Sequence, residues 1–323
     1  MSDAIPAVEN ANPPVRRFSN KPRHAPFKAF VAANWMYYAM LVPAAVLLAL
    51  FHFYPIWGIS MAFVDYSPYK GMAGSPFVGL ENFKRLIEMP EGGQVLRNTL
   101  VIAIGKILVG QVAAVIFALL LHEASNRFFK RVVQTWTTLP HFMSWIVMGG
   151  ILLNVLSSSG FVNRALGIVG VKPIRFFGNP TVFPWTLILS ETWKEFGFGS
   201  IIYLAALTGI NPELYEAAAV DGAGRWAGLL HITIPGIAPT IALMSCLSLG
   251  NILSAGFEQI LILQNPMVYS TGDIIDTFVY RQGILQAQYS LATALGLARS
   301  VVGFVLILAS YWLADKFANY RIF

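Results

Sequence analysis

Apolar residues fall along this chain in long blocks, and short polar segments separate them. A helix of about 20 apolar residues crosses the hydrocarbon of a bilayer. Six blocks are long enough, at roughly 35–63, 94–121, 132–156, 182–207, 233–255 and 291–314. The pattern predicts an all-α integral membrane protein with six transmembrane helices. Residues 31–323 form one transmembrane domain, and 1–30 form a polar tail carrying Arg16, Arg17, Lys21 and Arg23. The first apolar run comes too late and is too long for a signal peptide, so the tail is expected to be disordered and to stay in the cytoplasm. An even number of spans then puts both termini on the cytoplasmic side. The internal loops divide Lys and Arg less clearly, so this orientation rests mostly on the tail.

Several local features refine this outline. Pro43 and Pro55 are expected to kink the first span, whereas Pro184 sits in a first helical turn, where proline is tolerated. Leu80 to Ile87 has the pattern of a short amphipathic helix on the outer membrane surface. The Gly-, Ser- and Asn-rich 157–181 loop reads as partly re-entrant. In the 265–290 loop, Ile274, Ile275, Phe278 and Val279 predict a short helix behind a Ser270–Asp273 cap.

The most informative polar stretch is NPELYEAAAVDGAGRWAGLLHITIPGIAP, from Asn211 to Pro239. Pro212 suits a first helical position, and Glu213 and Glu216 favour the positive end of a helix. Tyr215, Ala218 and Ala219 share a short face with small residues. Gly222 and Gly224 break the helix or admit a close approach. A second helix restarts near Trp226, and Pro235 and Pro239 mark its way into the membrane. A small-residue helix held between two spans fits a groove on another protein. It is equally compatible with a plain connecting loop.

Composition supports the membrane reading. Of 323 residues, 56% are hydrophobic and only 12% are charged, against roughly 25% charged in soluble domains. The net charge of +6 is spread over loops and tail rather than one soluble face, so no nucleic-acid partner is expected. The lone Cys246 cannot form an internal disulfide. The five histidines show no metal-type spacing, so no metal is expected. A phosphate-binding G-x-x-x-x-G-K-[ST] loop is absent, as are H-E-x-x-H and G-x-S-x-G motifs. The chain thus carries no sign of a catalytic site or a bound cofactor. If transport runs on ATP, nucleotide and magnesium belong to a partner.

Charges inside apolar spans are costly and face a cavity or a partner. Glu191, Lys194 and Glu195 lie in the fourth block at spacings of three and four, with Phe198 one turn on. They form either a self-neutralising cluster or a polar wall to which Trp193 or Phe198 adds a flat face for a sugar ring. In the fifth block Ser248, Asn251 and Ser254 share a face. They either bind sugar hydroxyls or bond helix to helix. Lys106 and Arg299 are further cations within spans. An anionic ligand would neutralise them, and so would Glu191, Glu195 or Glu258.

Glu216-Ala217-Ala218, then Gly222, then Ile234-Pro235, resembles the EAA loop in permease subunits of bacterial ABC importers. DYSPYKG, SPFVGLENF, Asn98-Thr99, TLPHFMSW, IIYLAALTGI, GFEQILIL and DTFVYRQG extend the likeness over nearly all of the chain after residue 30. They are similar to the polysaccharide and complex-oligosaccharide subgroup, alginate importers among them. The resemblance implies a maltose-type permease fold in the bacterial inner membrane, without enzyme activity of its own. It implies as partners a second homologous permease subunit, two copies of a cytoplasmic ATPase, an extracytoplasmic solute-binding protein and the sugar itself, with lipid around the spans. The EAA loop, 208–232, would seat in the ATPase through Glu213, Glu216, Ala217, Ala218, Asp221, Gly222, Arg225 and Pro235. Glu191, Trp193, Lys194, Glu195, Phe198, Ser248, Asn251 and Ser254 would line the substrate pathway. A rival class, an ion-coupled secondary sugar transporter, would use the intramembrane Glu and Lys for coupling. It would show an inverted repeat of spans, and the chain shows no internal repeat.

Overall fold

The structure is a computed structural model that describes residues 34–250 and 252–318. The tail 1–30 and Asn251 lie outside the described residues. The chain divides into two units, Met1–Trp57 and Gly58–Phe323.

The described part of the first unit is a single helix. Its regular stretch, α1 (Trp35–Leu48), passes through a π turn at Ala49–Phe53 into Tyr54–Ile56. Residues 35–57 are all exposed. A helix that is apolar all round, as this one is, suits a membrane span. The π turn has a local cause. Pro55 has no N–H and its ring crowds the carbonyl of residue i−4. One wide turn just before it relieves both problems.

The second unit is also helical, and its only β pairing among the described residues is an isolated bridge between Val64 and Phe77. A 3-10 turn opens it and leads to α2 (Glu81–Glu88). Asn82 and Leu86 of α2 are buried while Leu80 and Ile87 are exposed, in keeping with the amphipathic pattern. Next come α3 (Pro90–Glu123), α4 (Arg127–Thr138), α5 (Trp145–Val155), α6 (Phe161–Ile168) and α7 (Phe183–Thr208). After them come α8 (Glu213–Val220), α9 (Arg225–Gly250), α10 (Phe257–Leu263), α11 (Ile275–Val279) and α12 (Tyr289–Ala318). The longest shared face is that between α3 and α7. Ile102, Ala103, Leu187, Met148, Ile252, Leu253 and Ile260 form the main core, which joins α3, α7, α5, the turn after α9 and α10. Ala114, Ala118, Tyr203, Leu207 and Ile237 extend it along α3, α7 and α9.

Among the described residues, four helices are long and apolar enough to cross a membrane: Trp35–Phe63, Pro90–Glu123, Arg225–Gly250 and Tyr289–Ala309. The two remaining expected spans differ from this group. In place of one straight helix over 132–156, Arg127–Phe142 and Trp145–Val155 meet at 106°. Pro140 cannot continue a regular helix, and Ser144 restarts it by accepting the Val147 N–H at 3.4 Å. The fourth expected span is present as α7, 26 residues long. It is less apolar because it carries Glu191, Lys194 and Glu195.

The expected outer loops are built rather than loose. Asn163 in α6 bonds the carbonyls of Ser157 and Ile174 and accepts the Ile174 N–H, all within 2.9 Å. The helix expected behind Ser270–Asp273 is α11, but its cap runs the other way. Thr277 Oγ1 accepts the Ile274 N–H at 3.0 Å and donates to Asp273 Oδ1 at 2.7 Å. Asn98 holds the carbonyls of Ser270 and Asp273 at 3.2 Å, and Thr99 accepts the Ile275 N–H at 3.0 Å. These bonds set Ile274, Ile275 and Phe278 into the core.

Gly197 lets α7 meet α4. A Cβ there would collide with the backbone carbonyl of Thr137, which has no rotamer to yield. Gly197→Ala is expected to destabilise the protein by about 1–3 kcal/mol. Gly150→Ala is expected to be neutral or better, because nothing lies within 4 Å of that added carbon. Thermal unfolding of the purified importer complex measures both.

Candidate functional site

Two places gather the residues that the sequence singles out. The first is a groove of about 620 Å³ between α3, α7, α9 and the turn that follows α9. Lys106, Glu191, Glu195, Ser248 and Ser254 are its polar lining, among Ala103, Ile107, Met244, Leu247 and Ile252. Lys106 lies at its base, with a side chain 9% exposed. Its ammonium donates to Glu191 Oε2 at 3.3 Å, to the Ala255 carbonyl at 2.7 Å and to Gln259 Oε1. Gln259 is completely buried. Its amide donates on to the Leu187 carbonyl at 2.9 Å and to Ser190 Oγ at 2.8 Å. One lysine thus ties α3, α7, the turn and α10 together. Gly256 adopts the left-handed conformation (φ +92°), and a Cβ there would strike the Lys106 ammonium. Only glycine lets the turn come this close.

One turn along α7 the acids and bases belong to another network. Lys194, also buried, donates to Glu195 Oε1 at 2.8 Å and to the His141 carbonyl at 2.9 Å. Its ammonium also sits 5.5 Å from the centre of the Trp145 ring. The other Glu195 oxygen is 2.6 Å from His141 Nδ1. The His141 ring lies flat on Phe198, with centroids 3.9 Å apart. This network braces α7 against the bend between α4 and α5.

The structure thus splits the cluster expected over Glu191, Lys194 and Glu195. Glu191 pairs with Lys106 across helices, and Lys194 pairs with its neighbour Glu195. Trp193 is on another face, in an apolar cleft with Leu152, Leu156, Phe176 and Trp185. A residue two places from both acids points away from them on a 3.6-residue helix. Phe198 is occupied by His141. Ser248 and Ser254 line the groove as expected. Ser248 Oγ donates to the Met244 carbonyl at 2.8 Å. Arg299 binds none of the glutamates offered to it. It pairs with Asp276 at 2.6 Å and donates to Ser254 Oγ at 2.9 Å. Burial pushes the Asp276 carboxyl above its ordinary value, and Arg299 opposes that shift. The sequence pattern singles out neither His141 nor Gln259 for these roles. The Pro140 breaker beside His141 was the available signal, whereas nothing local marks Gln259.

The second place is the loop between α7 and α9. Asn211 Oδ1 accepts the Glu213 N–H at 3.1 Å and so starts α8. At its other end the Gly222 N–H bonds the Ala219 carbonyl and the Ala223 N–H bonds that of Ala218. Gly222 has φ +79°. Together these form a Schellman stop, which favours glycine at that position. A π turn at Leu229–Thr233 precedes Pro235, as at Pro55. Tyr215 OH lies 2.9 Å from Thr233 Oγ1 and fastens α8 to α9. Glu213, Glu216, Ala217, Asp221, Gly222, Arg225 and Pro235 are exposed and Ala218 half-buried. Val220 is 88% and Trp226 76% exposed.

The structure thus presents a pre-shaped, exposed interhelical loop and a polar groove between apolar helices. The chain is a member of the family described as "Binding-protein-dependent transport system inner membrane component", whose model matches residues 107–319. These are the permease subunits of ABC importers, so the expected class and location in the inner membrane hold. The chain is 39% identical to Protein LplB of Bacillus subtilis, over 90% of this chain and 91% of that protein. It is 38% identical to the polygalacturonan/rhamnogalacturonan transport system permease protein YteP of the same organism, over 88% and 89%. A crystal structure of a bacterial alginate ABC transporter, in complex with an alginate pentasaccharide-bound periplasmic protein, contains a chain that superposes with a TM-score of 0.82. That chain is 36% identical, and the match covers 92% of this chain and 99% of that one. Among the described residues no group of three or more His, Cys, Asp or Glu could hold a metal ion.

Removing one partner of a buried ion pair costs about 3–5 kcal/mol, whereas exchanging both for apolar groups is often tolerated. Lys106→Met is therefore expected to lower the amount of folded permease in membranes severely. Lys106→Met with Glu191→Met is expected to restore most of it. Quantitative immunoblots and thermal unfolding of the solubilised protein provide the check.

Proposed function

We propose that this chain is one of two permease subunits in an ATP-driven importer of oligo- or polysaccharides, and that its substrate is acidic, in the manner of alginate. Membership of the family supports the importer class. The names of the relatives supply the sugar: one carries polygalacturonan and rhamnogalacturonan, and another belongs to a transporter of alginate, an acidic polysaccharide. A solute-binding protein delivers the sugar from outside. A second permease subunit completes the pathway, and Lys106, Glu191, Glu195, Ser248 and Ser254 line this chain's side of it. Both termini and the 208–232 loop face the cytoplasm.

The observation that carries the coupling mechanism is the exposed, finished shape of α8 and its Schellman stop. In this reading α8 seats in a cleft of one of two cytoplasmic ATPase subunits, which bind ATP and magnesium. Ala217 and Ala218 allow close approach, Glu216 meets polar groups of the socket, and Val220 and Trp226 bury their apolar surface there. ATP draws the ATPases together, α8 moves with its socket, and the groove opens outward. Hydrolysis returns it toward the cytoplasm. Stiffness is essential to such a lever, and the Tyr215–Thr233 bond and the fixed stop provide it.

Two substitutions test the lever. Nothing lies within 4 Å of a Cβ added at Gly222, so Gly222→Asp strains only the backbone, by about 1–2 kcal/mol. Gly222→Asp and Ala218→Phe are expected to leave the subunit in the membrane and to abolish ATP-driven uptake by the reconstituted complex. Normal coupled uptake would refute the lever. Wild-type uptake is expected to stop with vanadate and to survive a protonophore, and the reverse would favour an ion-coupled carrier.

A further inference from the structure

The groove wall is selective in its hydrogen-bonding sense. An ammonium has three donors, and Lys106 spends all three on Glu191, Ala255 and Gln259. Lys194 does not line the groove. It turns to Glu195, the His141 carbonyl and the Trp145 ring. Arg299 is held by Asp276 and Ser254. Ser248 gives its proton to Met244. Each cation near the groove is thus already engaged. Among the described lining residues, what remains open to a ligand is mainly acceptor capacity, with the Ser254 hydroxyl proton the one donor beside it. The side chains of Glu191 and Glu195 are 25% and 35% exposed. A carboxylate offers about four lone-pair positions, and the protein fills one on Glu191 and two on Glu195. The free lone pairs of the two serines add to these.

Resting on the sugar-importer reading above, we infer that this chain's side of the pathway binds the hydroxyl edge of the sugar and turns its carboxylates away. Glu191 and Glu195 accept from ring hydroxyls, Ser248 accepts one more, and Lys106 is a positioning residue that holds Glu191 in place. Hydroxyl donors match this wall. A uronate carboxylate would meet two like charges and, among the described lining residues, no unpaired cation, which is unfavourable. The acidic groups of an acidic polymer therefore face the opposite wall of the pathway.

The test uses the whole complex of both permeases and the ATPases, in detergent and without binding protein. Equilibrium binding is measured for an oligouronide and for its carboxyl-reduced, neutral counterpart. Hydrogen bonds to a charged group are worth about 1.5–3 kcal/mol, and 1.4 kcal/mol is a factor of ten. Glu195→Gln is expected to weaken both ligands by about tenfold or more and by the same factor. Ser248→Ala, a mild change, is expected to weaken both by a few-fold. The double variant Lys106→Met with Glu191→Met is expected to weaken both equally. Selective loss of the oligouronide in the double variant would overturn the inference, because Lys106 would then be meeting the carboxylate. Tighter oligouronide binding in Glu195→Gln would also overturn it, and so would no change for either ligand in Glu195→Gln and Ser248→Ala. Failure of the wild-type complex to take up any oligosaccharide with ATP would instead refute the importer reading.

Discussion

A charge placed within a membrane-spanning helix must find opposite charge or polar contact inside the protein, and here that constraint falls on Lys106. Its ammonium meets Glu191, Ala255 and Gln259, so four pieces of chain converge on one atom. The convergence needs Gly256 in a left-handed turn and needs Gln259 buried and fully bonded. Lys106, Glu191, Ala255 and Gly256 also line the groove, so the same convergence shapes it. Replacing water around an ammonium is expensive. The arrangement therefore tolerates little movement of any one partner alone.

Proline shapes the long helices in a repeated way. Pro55 and Pro235 are each preceded by a π turn that ends two residues earlier. Pro140 instead lies in a 3-10 turn, Leu139–Phe142, and the chain bends by 106° just after it. The same residue type bends or merely widens a helix according to what the neighbouring turn can absorb. At the break, His141 is freed to bond Glu195 and to lie against Phe198.

The spans and the 208–232 loop were legible because their signals are local. Long apolar runs, a Pro212 start and a Gly222 stop each act within a few residues. The choice of partner for each charge was not legible. Glu191 and Lys194 share a helix face by spacing, yet neighbouring helices draw them to different places. Arg299 found Asp276, a residue of a short helix whose burial the pattern could not reveal. The Asn98-Thr99 pair, which only the family resemblance marks in the sequence, pins Asp273 and the first residue of α11. Trp193 is a different case. Its position two residues from both acids already placed it on another side of α7, and helical geometry outranks nearness in sequence.

The knuckle between α8 and α9 has one more consequence. Its stop, its wide turn and the tyrosine–threonine bond are complete within the chain itself. A partner docking there, as proposed above, would meet a surface already in its final form and have little chain disorder to remove. Under the proposed coupling, such a surface could be loaded and released repeatedly with no segment to refold each time.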